Sequence, residues 1–235
     1  MRARRVSPLV LLSMLFAVQS PLAADLRGTL TGAAELTPAA RERDPRRGDF
    51  YWEVPNGVVP ITTPRADVER DLAVVLTGPG VEESSQPASL ILEGGRCRPG
   101  TLVVSPATVI NVENTDLLSH ELYVVPRGAT ERVVPAERTS PRARRQFSVG
   151  RAGVFEVRDA RDPAFRCWIA AGPGQGRVLR VDAQGAFRAA NLADGEYTVK
   201  VYYEGTERAS QAVAVAGREA TVTVSLGAPA APRGR

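Results

Sequence analysis

Apolar residues along this chain come in short runs, mostly β-branched or leucine, and most runs are closed by glycine, proline or an Asn/Asp cluster. Leu72 to Leu76, Leu90 to Leu92, Leu102 to Val104, Val109 to Val112, Leu122 to Val125, Phe147 to Val149 and Val154 to Val157 are the clearest. Short runs bounded by turn formers predict strands. No window repeats its apolar positions at helical spacing over about ten residues or more. The economical way to bury many short strands is an antiparallel sandwich, so the expected fold class is all-β.

From Gly176 the pattern tightens into GRVLRVDAQGAFRAANLADGEYTVKVYYEG. Asp182 to Gly185 reads as a hairpin turn with glycine where φ must be positive, and Asp194-Gly195 opens the next strand. Tyr197, Val199, Val201 and Tyr203 alternate, fall on one face and are expected to be buried together. Ala212 to Val215 and Thr221 to Leu226 supply two more strands. Ala40 to Pro64 breaks the rhythm and reads as a long excursion, with Phe50, Tyr51 and Trp52 as its apolar anchor. Arg47-Gly48-Asp49 matches an adhesion tripeptide, a match that chance supplies readily.

Composition changes the picture first at the N-terminus. Arg2, Arg4 and Arg5 precede an apolar stretch from Leu9 to Val18, too short to span a bilayer, and small residues follow up to Ala24. This is the pattern of a secretory signal peptide, with cleavage expected after Ala24 and no cysteine there for a lipid anchor. Losing those arginines takes the formal charge from +4 to about +1. The basic character is therefore mostly targeting, and nucleic acid is not an expected partner. The arginine-rich run from Arg138 to Arg145 reads as a solvated loop in preference to a phosphate-binding patch. An exported chain meets an oxidising compartment, where Cys97 and Cys167, the only cysteines, suit one disulfide; a free thiolate acting as ligand or nucleophile is the alternative.

The stretch CRPGTLVVSPATVINVENTDLLSHELYVV (Cys97 to Val125), followed by GVFEVRDARDPAF (Gly153 to Phe165), resembles the periplasmic plastocyanin-like cupredoxins. DAQGAFRAANLADGEYTVKVYYEG (Asp182 to Gly205) resembles the carboxypeptidase regulatory-like, or transthyretin-like, repeat that such proteins carry at the C-terminal end. The resemblance implies a cupredoxin-like Greek-key sandwich followed by a small transthyretin-like β unit, with copper as the family's cofactor. It places His120, the only histidine, at the first imidazole ligand. On the family pattern Val-x-Cys-x-Ile-His-Pro-x-Met, Asp159 falls at the cysteine ligand, Arg161 at the isoleucine, Asp162 at the second histidine, Pro163 at the proline and Phe165 at the methionine. Type 1 copper needs two imidazoles and a thiolate, usually with an axial thioether. Both methionines, Met1 and Met14, lie in the leader, and the residues after Cys167 offer no imidazole or thioether. Cys97 matches no ligand position, so a Cys97–Cys167 disulfide accounts for both sulfurs, and no copper cofactor is expected.

His120, Asp159 and Asp162 would still converge at one end of the sandwich under this resemblance, and one imidazole with two carboxylates can bind zinc, manganese or iron. The alternative is that Arg158, Arg161 or Arg166 pairs with the acids and His120 is a hydrogen-bonded remnant. Catalysis is not expected: Ser119 adjoins the one histidine but points to the opposite face of a strand, and the transthyretin-like hydrolases use histidines this segment lacks. The domains expected are a signal peptide over 1–24, an N-terminal strand and loop excursion over 25–71, a cupredoxin-like domain over 72–172, a transthyretin-like unit over 173–227, and a disordered tail over 228–235. The functional expectation is a periplasmic or secreted, non-catalytic binding or structural module. Exposed strand edges and the Phe50 to Trp52 loop are its candidate contacts, an envelope or extracellular protein its partner, and no transmembrane segment remains after signal removal. Metal-dependent redox or electron transfer through His120, Asp159 and Asp162 is the second expectation.

Overall fold

The computed structural model describes residues 24–36, 65–82, 86–172 and 176–227. The leader, the Arg47–Asp49 tripeptide, the Phe50 to Trp52 loop and the 228–235 tail lie outside the described residues. Along the chain run β1 (Ala24–Thr31), α1 (Val68–Asp71) and β2 (Leu72–Thr77). They are followed by β3 (Ala88–Glu93), β4 (Arg96–Arg98), β5 (Thr101–Val104), β6 (Ile110–Asn114), β7 (His120–Pro126), β8 (Val134–Thr139), β9 (Arg144–Phe147), β10 (Gly153–Asp159) and β11 (Arg166–Ala171). The C-terminal part supplies β12 (Arg177–Leu179), β13 (Ala186–Leu192), β14 (Gly195–Tyr203), β15 (Thr206–Val215) and β16 (Glu219–Ser225). The fold class is all-β.

Two sheets, β4-β3-β6-β9 and β5-β11-β10-β7-β8, face each other as a first sandwich. Its strands alternate as the sequence predicts: Ile110, Val112 and Asn114 on β6 and Leu122 and Val124 on β7 point inward with Leu90, Leu92, Phe155, Val157 and Ile169. Cys97 on β4 and Cys167 on β11 join across the two sheets as a disulfide, Cα atoms 6.0 Å apart, inside this core.

The second sandwich is larger than a C-terminal unit. Its sheets are β13-β1-β16 and β12-β2-β14-β15, so both β1 and β2 belong to it. Leu72–Thr77, expected at the start of the first sandwich, instead pairs antiparallel with β14 and β12. The physical reason is its unbroken apolar run: Leu72, Val74 and Leu76 enter the second core, while Ala73 and Val75 are buried on the other face. A strand buried on both sides shows no alternation, and such a run cannot declare its sheet. Tyr197, Val199, Val201 and Tyr203 are each no more than 1 % exposed and lie in one core, as expected.

The outer faces of sheets β5-β11 and β2-β14 meet between the sandwiches, where Val103 and Ala170 pack on Ala73, Val75 and Tyr202. Polar contacts pin the junction: Glu204 N–H donates to Thr101 Oγ1 at 3.0 Å, and Gly100 N–H to the Arg70 carbonyl at 2.7 Å. The Arg127 guanidinium lies 5.0 Å over the Trp168 ring and donates to Thr206 Oγ1. Gly205 (φ +71°) sits where a Cβ would stand 2.7 Å from Val154 Cγ1, so the approach of the two bodies depends on its lack of a side chain.

Candidate functional site

β7 and β10 are antiparallel neighbours with Leu122 opposite Asp159. His120 on β7 and Asp159 on β10 are therefore diagonal neighbours at the last inward positions of their strands, where the apolar core gives way to loops. Both are buried. His120 Nδ1 lies 2.7 Å from Asp159 Oδ2. The other oxygen of Asp159 accepts from the backbone N–H groups of Glu121 and Arg161, each at 2.9 Å. Phe165, 2 % exposed, closes the site from one side, its ring centroid 5.5 Å from that of His120.

The far edge of the imidazole meets a residue that the ligand pattern does not single out. Asp116, in the loop between β6 and β7, places Oδ2 3.0 Å from His120 Nε2. Its two oxygens also accept from the N–H groups of Gly94 and Gly95 in the β3–β4 turn, at 2.5 and 3.0 Å. Asn114, fully buried at the end of β6, sets the loop: its Oδ1 accepts from Asp116 N–H at 2.9 Å, and its Nδ2 donates to the carbonyls of Leu118 and Thr139 at 2.8 and 3.0 Å. This is an Asx turn with every group of the amide satisfied. Burial alone raises the Asp116 carboxyl, but the Gly95 N–H, His120 and the Gly94 N–H together outweigh it and hold the group below its ordinary value.

The result is a bridge, Asp159–His120–Asp116, that ties β10, β7, the β6–β7 loop and the β3–β4 turn together. Each ring nitrogen of His120 thus faces a carboxylate oxygen at hydrogen-bond distance. The asparagine–aspartate spacing before the histidine, Asn114-Thr115-Asp116, was the signal in the sequence for this second carboxylate.

Of the residues placed by resemblance, His120, Asp159 and Phe165 come together and Asp162 does not join them. Asp162 builds its own turn, Oδ1 accepting from Ala164 N–H at 3.0 Å and its carbonyl from Phe165 N–H at 3.0 Å. The arginines also depart from expectation. Arg158 and Arg166 approach the buried Glu156, at 2.6 and 3.7 Å, rather than Asp159 or Asp162. Arg161 meets Asp159 through its backbone. The Ser119 hydroxyl oxygen accepts from Arg138 Nη2 at 3.2 Å. The run from Arg138 to Arg145 is not uniformly solvated: Arg145 is 9 % exposed, its Nη1 donating to the carbonyls of Leu122 and Glu137 at 3.0 and 3.1 Å. Its guanidinium also lies 5.6 Å from the Phe147 ring centre.

The donor set does not fit type 1 copper. Both cysteine sulfurs are bridged to each other, Asp159 and Phe165 stand where the resemblance puts thiolate and thioether, and the chain holds one imidazole. Among the described residues no group of three or more His, Cys, Asp or Glu side chains is arranged to hold a metal ion. A second site, not anticipated from the sequence, is a cleft of about 690 Å³ between the sandwiches. Leu72, Ala73, Pro99, Val103 and Val178 line it. Glu69 stands at its rim, 3.8 Å from Arg98 and 3.6 Å from Arg180.

No protein-family model and no curated protein matches this sequence. Solved structures similar to it are cupredoxins. A reduced amicyanin variant is 12 % identical, covering 42 % of this chain and 99 % of its own, with a TM-score of 0.33. A purple cupredoxin from Nitrosopumilus maritimus is 13 % identical, with 36 % and 99 % covered and a TM-score of 0.32. A Cu-containing nitrite reductase from Thermus scotoductus SA-01 is 15 % identical over 41 % of this chain and 25 % of its own, with a TM-score of 0.33.

Proposed function

We propose that this chain is an exported, non-catalytic binding module: a cupredoxin-like sandwich whose histidine end serves as a structural brace, joined to a carboxypeptidase regulatory-like sandwich. The observation that carries the reading is the double engagement of the sole imidazole by Asp159 and Asp116, which converts the position of a metal ligand into a cross-brace. The cleft between the sandwiches, with apolar walls, a charged rim and a volume typical of small-ligand sites, is the place for a ligand in this reading. A buried cross-sheet disulfide supports an oxidising, extracytoplasmic compartment. The Asp182–Gly185 turn and the strands β13 and β14 that follow it in the second sandwich support its regulatory-like assignment.

Elemental analysis of the purified protein tests the proposal. Transition metal far below one per chain is the expected result. One metal per chain, lost in a His120→Ala variant, would replace this reading with the metal-handling one through His120, Asp159 and Asp162.

A further inference from the structure

The brace at His120 holds up something exposed. Leu117 and Leu118, at the tip of the β6–β7 loop, are 88 % and 75 % exposed, the two most exposed large apolar side chains among the described residues. Scattered surface leucines need no explanation, but an adjacent pair on a tied-down turn is a different object. The loop is fixed on both sides of the pair: Asp116 grips the β3–β4 turn and His120, and the Asn114 amide holds the Leu118 carbonyl. The tip therefore presents its leucines to solvent.

Two arginines reach this tip, and two more belong to the segments beside it. Arg138 and Arg161 reach Ser119, next to Leu118, through its hydroxyl and its carbonyl. Arg142 donates its backbone N–H to the Asn114 carbonyl at 2.8 Å, and Arg96 follows Gly95 in the turn that Asp116 grips. All four side chains are exposed, and among the described residues none has an acidic partner within ion-pair distance. Of the nearby acids, Asp116 and Asp159 serve the imidazole, Asp162 its own turn, and Glu93, across the ladder from Arg96, approaches Arg98. Glu121 stands across the ladder from Arg138 without an ion pair to it.

We propose that this tip is a peripheral docking element for an anionic lipid surface. The leucine pair would enter the boundary between headgroups and acyl chains, while the arginines remain at headgroup level on lipid phosphates. Charge complementarity argues for lipid: a protein groove would accommodate the leucines, but it would not by itself account for two exposed arginines without an acidic partner, Arg138 and Arg161, held beside the pair. The inference is independent of what the cleft binds.

Co-sedimentation with vesicles tests it, comparing phosphatidylcholine with phosphatidylcholine–phosphatidylglycerol mixtures. The parent chain, a Leu117→Ser/Leu118→Ser variant and an Arg138→Gln/Arg161→Gln variant share one N-terminus, so differences among them report the tip alone. The expected result is partitioning to the anionic vesicles only, reduced about tenfold or more by the serine pair and severalfold by the glutamine pair or by raised salt. Unchanged urea midpoints would establish that both variants stay folded. Equal partitioning of parent and serine variant would overturn the proposal, as would equal affinity for both vesicle types, no partitioning at all, or a leucine-dependent self-association without lipid binding.

Discussion

Asp116 does the least expected work in this molecule. A carboxylate in a surface loop is ordinarily solvated and energetically minor, whereas this one accepts from two glycine N–H groups and meets the only imidazole. Its pKa is held down, against burial, by those same partners, and the sign of the consequence follows. A depressed carboxyl contributes stability that is complete above its unfolded value, about 3.9, and that is lost as pH falls through the lower folded value. Asp116→Asn should therefore lower the unfolding free energy by about 1–3 kcal/mol at neutral pH. Urea denaturation at a series of pH values should show parent and variant converging below about pH 3.9. A gap that stays constant into acid would mean that the charge of Asp116 plays no part.

Strands were largely legible in the sequence, and their partners were not. The runs at Leu90, Leu102, Leu122 and Val154 mark strands because alternation and turn formers are local properties, and the face shared by Tyr197, Val199 and Val201 follows from the same two-residue period. Pairing is set by which face each strand must bury, and β2 buries both. Of the site, His120 with Asp159 was legible through the resemblance. Asp116 was obscured because a ligand pattern names ligands and passes over the groups that hold them. The disulfide linking β4 to β11 across the sheets was expected from the even count of two, and the fold brings the two cysteines together. With 70 residues separating the two cysteines, a Cys97→Ser/Cys167→Ser variant should lose about 4 kcal/mol on the chain-entropy model, read as a lowered urea midpoint. An unchanged midpoint would mean that the two sheets are held as firmly without the bridge.

The described residues form two sandwiches pressed together through a thin apolar seam and a few polar ties, with a cleft beside the seam. Gly205 permits that closeness, so Gly205→Val should cost about 1–3 kcal/mol of strain and loosen the junction. Calorimetry would then resolve two transitions for the variant where the parent gives one, and a single unshifted transition would show that the seam does not depend on this position. In the proposed reading the fold is held by its own carboxylate–imidazole–carboxylate brace rather than by a metal. Urea denaturation of the parent and of His120→Ala, each with chelator and with added cupric ion, distinguishes the two. His120→Ala should lower the midpoint equally under both conditions, and the parent should respond to neither additive. A parent stabilised by cupric ion and weakened by chelator, with both responses abolished in His120→Ala, would contradict it.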